Sequence, residues 1–298
     1  MNRQSETLTG YLLLFPALFI LTLLALCPIL ILFWLSMRYR VLPFGIDLFA
    51  GADHYVVLLQ APRFWNSMGV TLYFAALSVA LEVLLGLSIA LLLSRRFRGA
   101  GWARALILLP WAIPTVVTAK LWDWIYQPDL GVLNYLLQNL GITTAPVNWL
   151  GTPSLAIHAA IIADVWKTTP FVVILLLAGL ALVPRDLYQA AALDGASSWQ
   201  SFVHVTLPLL RPILLVVTLF RTIDALRAFD LLYVLTGGGP ADATETLSLY
   251  AYKILFQTMQ FGYGSAIGVM LFLVVTMVSL LQFWLGRQDM RRLVGRTP

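Results

Sequence analysis

Six stretches of this 298-residue chain are each long and apolar enough to cross a lipid bilayer, and no other feature restricts its folding so severely. They run roughly over Tyr11–Met37, Val70–Ser94, Ala105–Tyr126, Leu155–Val183, Ile213–Thr236 and Tyr263–Gly286. A helix needs about 20 mostly apolar residues to span a hydrocarbon core about 30 Å thick. In lipid every backbone polar group must be bonded within the protein, which leaves only helices and closed barrels, and runs this long exclude barrel strands. Charged residues make up 11% of the chain, against about 25% in a soluble domain. The sequence therefore predicts an all-α membrane protein with six transmembrane helices, organised as a single transmembrane domain over residues 1–298. The first run is far longer than the apolar region of a signal peptide and no small-residue cleavage site follows it, so it reads as a retained membrane helix. Cys27 is the sole cysteine, which excludes an intrachain disulfide.

Lysine and arginine set the orientation, because they concentrate in cytoplasmic loops. With the N-terminus inside, the inner segments hold eleven: Arg3, Arg95, Arg96, Arg98, Arg104, Arg185, Arg211, Arg287, Arg291, Arg292 and Arg296. The outer segments hold four: Arg38, Arg40, Arg63 and Lys253. Both termini are thus expected in the cytoplasm. The net charge of +5 is a topology signal rather than a nucleic-acid patch. Prolines lie within several runs, Pro16 and Pro28 in the first, Pro110 and Pro114 in the third, Pro170 in the fourth. Each either kinks its helix or is simply tolerated, as proline commonly is in membrane helices.

This orientation places Pro184–Pro212 in the cytoplasm, and the segment is not an ordinary connector. Pro184 suits the start of a helix, and Asp186 favours the positive end of its dipole. Ala190, Ala191 and Ala192 form helix readily and leave a close-packing surface. Gly195 can adopt the left-handed conformation that ends the helix. Ser197 or Ser198 can cap a second one carrying Trp199 and Phe202. The expected product is helix, tight turn, helix: a compact knob of the kind another protein grips in a groove.

The same residues resemble the coupling loop of ABC-importer permeases. That pattern is Glu-Ala-Ala, then Gly, then an aliphatic residue two before Leu-Pro. It reads here as Gln189-Ala190-Ala191, Asp194-Gly195, Val205 and Leu207-Pro208, with glutamine replacing the usual glutamate. A second stretch, Leu235-Thr236-Gly237-Gly238-Gly239-Pro240 with Thr244, Thr246, Tyr250, Tyr252, Phe256 and Gly262-Tyr263-Gly264, is similar to the carbohydrate branch of the family, typified by maltose and trehalose systems. The glycines are not a phosphate-cradling loop, since no glycine-lysine pair occurs in the chain. The resemblance implies a type I importer permease fold and a second, homologous permease. It also implies two ATPase subunits that hold ATP-Mg, and an extracytoplasmic solute-binding protein. The chain itself would catalyse nothing, carry no cofactor or metal, and sit in a bacterial cytoplasmic membrane.

Charged residues within the runs are functional candidates, because a charge at bilayer depth costs several kcal/mol unless paired or facing water. They are Glu82, Lys120, Asp123, Asp164, Lys167, Arg221, Asp224, Arg227 and Asp230. At about 1.5 Å per residue, Lys167 lies about 18 Å below the outer end of its span and Asp224 about 17 Å above the inner end of its own. Asp164, Lys167, Thr168 and Phe171 share one helical face, and Arg221 and Asp224 are neighbours on the next helix. These six are the candidate substrate-binding residues. Sugar hydroxyls suit carboxylate and guanidinium partners, and Trp166, Phe171, Phe229 and Tyr233 offer aromatic faces; the resemblance points to the same two helices. Two readings of the charges stand: they contact substrate, or they neutralise one another or the partner permease. Glu82 and the Lys120–Asp123 pair read as structural. The substrate expected is a disaccharide or small glycoside such as trehalose, maltose, sucrose or a glucosylglycerol, with glycerol 3-phosphate as the alternative. A secondary transporter relaying protons through Glu82, Asp164 and Lys167 would leave the coupling loop unexplained, and no paired broken helices of inverted repeats are visible. An intramembrane enzyme lacks a site, because His54, His158 and His204 are far apart along the expected topology.

Overall fold

The computed structural model describes residues 13–95 and 97–294, with backbone alone from residue 287. Tyr11, which opens the first expected span, lies outside the described residues, as do Arg3, Arg96 and Arg296. The described chain is nearly all helix: α1 Leu13–Ser36, α2 Asp53–Gln60, α3 Pro62–Ser94, α4 Ala100–Ala112, α5 Thr115–Ile125, α6 Val132–Asn139, α7 Pro153–Ala181, α8 Arg185–Leu193, α9 Ser198–Leu226, α10 Asp230–Leu235, α11 Leu247–Tyr252 and α12 Phe261–Val294. Five of these helices are long and apolar enough to cross a membrane, and α4 with α5 make a sixth if counted as one bent span.

The bend has a local cause. A residue before proline is pushed out of helical conformation, and Ile113, before Pro114, takes ψ 132. The chain turns by 95° there, so the apolar run over 105–126 is two helices. Other prolines leave their helices intact by a different route. In α1 a widened π turn at Thr22–Leu26 precedes Pro28, and in α9 one at Phe202–Thr206 precedes Pro208. Proline has no N–H and its ring presses on the carbonyl four residues back; adding a residue to that turn relieves both. Pro208 is therefore absorbed, and the second helix of the knob continues as α9 without interruption.

Two compact units are distinguished. One comprises the chain up to Phe64 with Tyr250–Phe272. Its strands β1 Arg38–Val41 and β2 Ile46–Phe49 pair antiparallel, Arg38 opposite Phe49 and Val41 opposite Ile46. An Arg38–Asp47 ion pair of 2.8 Å crosses the hairpin. Gly262 of the Gly-Tyr-Gly motif has a steric reason: a Cβ there would collide with the Arg38 carbonyl and the His54 ring.

The other unit holds Trp65–Leu249 and the chain from Leu273. Its core interdigitates Ala90 and Leu93 of α3, Val172, Val173 and Leu176 of α7, and Val217 of α9. Gly179 lets α7 approach α9, since a Cβ would press on Ile213 and Leu210. The glycine-rich loop is also structural. Gly237 and Gly238 have positive φ, and the Thr236 and Thr244 hydroxyls are 2.7 Å apart. The Leu247 amide donates to Thr71 Oγ1 of α3 at 2.8 Å.

Candidate functional site

Glu82 of α3, Asp164 and Thr168 of α7, and Arg221 and Asp224 of α9 meet within the second unit. Arg221 is only 4% exposed, and Glu82 is fully buried. Nε of the guanidinium donates to Glu82 Oε2 at 2.5 Å and Nη2 to Oε1 at 2.9 Å, a two-pronged pair. Nη1 donates to Asp224 Oδ2 at 2.5 Å. The Thr168 hydroxyl lies 2.7 Å from Glu82 Oε1 and 2.6 Å from the Asp164 carbonyl. Asp164 Oδ2 is 3.6 Å from Arg221 Nη2 and, though buried, takes no hydrogen bond among the described residues. One cation thus faces three carboxylates.

This cluster forms one wall of a cavity of about 180 Å³ lined by Asp164, Lys167, Thr168, Arg221 and Asp224, with Thr115, Arg227, Ala228, Phe229 and Asp230 among the rest. Five of the six residues expected to bind substrate are therefore brought together. Phe171 is not among the lining; its ring packs 6.0 Å from Trp111 of α4. Lys167 has no ion-pair partner among the described residues, and Arg227 donates to the Ile223 carbonyl at 3.2 Å rather than to either neighbouring aspartate. The Arg221–Asp224 pair is made, as is the Lys120–Asp123 pair at 3.2 Å.

Three contributors stand outside the six expected binding residues, although the sequence offers Phe229 as an aromatic face and Asp230 as a charged candidate. Thr115 arrives because the bend at Pro114 starts α5 there. Phe229 and Asp230 arrive because α9 stops at Leu226 instead of running on to Thr236. Thr246 Oγ1 donates to the Ala228 carbonyl at 3.0 Å and so holds the break. Non-helical backbone at membrane depth is tolerated where it is buried in protein or lines a cavity, and this break does line one. Glu82 was read as structural; it is the carboxylate that fixes Arg221.

The Pro184–Pro212 segment is built from local signals. Helix α8 starts after Pro184 and closes at Gly195, whose φ is +75. Ser197 caps α9 by a reciprocal box: its Oγ accepts from the Gln200 amide at 3.3 Å and its amide donates to Gln200 Oε1 at 2.7 Å. Tyr188 Oη and Thr206 Oγ1, 2.9 Å apart, tie α8 to the π turn before Leu207-Pro208. Gln189, Ala190 and Asp194 are exposed and Ala191 half-buried. Leu193 is 89% and Trp199 71% exposed. A groove of about 290 Å³ runs past Ala191, Asp194, Gly195 and His204. So much apolar surface on a small knob marks an interaction site.

Residues 82–288 match the family of binding-protein-dependent transport system inner membrane components. The chain is 45% identical over 285 residues to the trehalose/maltose transport system permease protein MalF of Thermococcus litoralis, covering 96% of each. It is 40% identical over 281 residues to the trehalose transport system permease protein SugA of Mycobacterium tuberculosis, covering 94% of this chain and 89% of that one. It is also 35% identical to the sulfoquinovosyl glycerol transport system permease protein SmoG of Agrobacterium fabrum, over 90% of this chain and 86% of that one. Its backbone superposes on a bacterial ABC transporter that imports the acidic polysaccharide alginate with a TM-score of 0.83, at 23% identity, covering 96% of this chain and 99% of that one. A polytopic helical chain with a capped knob between two of its long helices, matched over most of its length, belongs to the binding-protein-dependent transport system inner membrane components, the permeases of ABC importers.

Proposed function

We propose that this permease lines the path of an ATP-driven importer for a neutral disaccharide or small glycoside. The observation that carries this is the composition of the cavity. Its lining sets three cations, Lys167, Arg221 and Arg227, against three carboxylates, Asp164, Asp224 and Asp230, and Arg221 is further paired with buried Glu82, so no net positive charge is left over for an anion. That disfavours glycerol 3-phosphate and suits hydroxyls, which donate to carboxylates and accept from an ammonium. Phe229, stacked on Tyr233 at 5.3 Å, offers a ring for the C–H face of a sugar. The relatives described as trehalose and trehalose/maltose permeases support the same substrate class.

In this reading Asp164, Lys167 and Asp224 touch the sugar, while Arg221 and Thr168 position them; Phe171 takes no part. A cavity of about 180 Å³ is smaller than the about 300–1,000 Å³ typical of ligand sites, so a second, homologous permease completes it. Two ATPase subunits, which hold ATP-Mg, seat the knob from Gln189 to Gly195. An extracytoplasmic binding protein delivers the sugar, and both termini face the cytoplasm. The test is Lys167→Gln in the reconstituted complex. Removing a charged hydrogen-bond donor costs about 1.5–3 kcal/mol, so the sugar concentration for half-maximal ATPase stimulation should rise at least about tenfold with thermal stability unchanged. An unaltered concentration would remove Lys167 from the site.

A further inference from the structure

A separate cavity, basic and unconnected with the charged cluster, lies where the long helices α3 and α7 end. It measures about 570 Å³ and is bounded by Ser94, the last residue of α3, Arg104 of α4, Leu177 and Leu180 near the end of α7, and Arg185 and Tyr188 of α8. Among the described residues no acidic side chain lines it. Arg104 is held at the cavity by Nη2, which donates to the Leu93 carbonyl at 2.9 Å and leaves the other guanidinium donors unused by that bond. Arg185 makes no ion pair among the described residues. Two arginines and two leucines lining one cavity, where α3 and α7 end, match the chemistry of a phosphate joined to an acyl chain.

We propose that this cavity binds a phosphate group, brought by an anionic phospholipid whose chain lies along Leu177 and Leu180 or by free inorganic phosphate. Because Arg185 and Tyr188 belong to α8, an occupant would brace the base of the knob against the membrane-spanning helices. This rests on the orientation given under the proposed function, which puts these helix ends at the cytoplasmic leaflet, where acidic lipids attract basic residues.

The test uses the purified importer complex, washed in detergent with equal phosphatidylglycerol and phosphatidylcholine, and mass spectrometry of the retained lipid. Wild type should keep phosphatidylglycerol preferentially. Retention should fall about fivefold for Arg185→Gln and about thirtyfold when Arg104→Gln is added, at about 1 kcal/mol per basic residue near an acidic surface. Lysine at both positions should restore it. Inorganic phosphate that leaves the lipid in place identifies the lipid as occupant; phosphate that displaces it, or stabilises wild type but not the double variant without acidic lipid, identifies the free ion. Equal retention of both lipids, or no loss in the variants, overturns the site, as does loss of the ATPase subunits from Arg185→Gln, which would make this face a protein contact. Sugar-stimulated ATP hydrolysis by the same wild-type preparation reports separately on the proposed function.

Discussion

Arg221 organises the charged site because its guanidinium has five donors and meets carboxylates from three helices. Removing one partner of a buried pair strands the other charge, at about 3–5 kcal/mol. Arg221→Gln should therefore lower the thermal unfolding temperature of the purified subunit sharply, and Glu82→Gln in the same chain should recover part of the loss. If the single variant unfolds like wild type, Glu82 has another partner and the cluster is not the clamp described. Asp224→Asn, at a side chain 61% exposed, should leave stability nearly unchanged while weakening sugar stimulation. What the sequence showed at this level was helical spacing, which put Asp164, Lys167 and Thr168 on one face. It could not show that Arg221 reaches Glu82, 139 positions away, because that pairing depends on how α3 and α9 pack. Nor could it show that Phe171 turns to Trp111, since spacing fixes a face but not the rotamer or the neighbour.

The elements divide by whether their ends are set locally. The knob was legible because its punctuation is local: Pro184 opens α8, Gly195 closes it in a left-handed turn, and Ser197 caps α9. Gly195→Val should strain that turn by about 1–2 kcal/mol. Together with Ala191→Trp, which fills the groove, it should abolish sugar-stimulated ATP hydrolysis while the binding protein still binds ligand. Normal stimulation in both variants would remove the knob from coupling. The break after Leu226 was not legible, for the opposite reason: no glycine or proline lies between Arg227 and Phe229. Thr246 holds it from a distant loop. Thr246→Val should therefore loosen the cavity wall and weaken sugar stimulation without affecting the knob, to be read as a higher half-stimulating concentration with unchanged retention of the ATPase subunits. A wild-type concentration would show that the break holds without that hydroxyl. Pro208 teaches a related lesson, since a π turn lets a proline sit in a continuous helix that sequence alone would end.

For the whole molecule, six apolar runs were enough to give the class of fold, because a bilayer admits so few alternatives. They could not reveal that one span is bent by 95°, which needs the conformation of Ile113. A cavity lined by equal numbers of cations and carboxylates is joined to an exposed apolar knob through α7 and α9, the two helices that flank the loop. The central claim is that, in the proposed coupling, a neutral sugar at the cavity stimulates ATP hydrolysis by the separate ATPase subunits seated on the knob. Its most direct test is ATPase activity of the reconstituted complex with its binding protein, across neutral disaccharides, glucosylglycerol and glycerol 3-phosphate. Strong stimulation by a neutral sugar and none by the phosphate ester is the expected result. Stimulation by glycerol 3-phosphate alone, or uptake that follows a proton gradient without ATP hydrolysis, would contradict it.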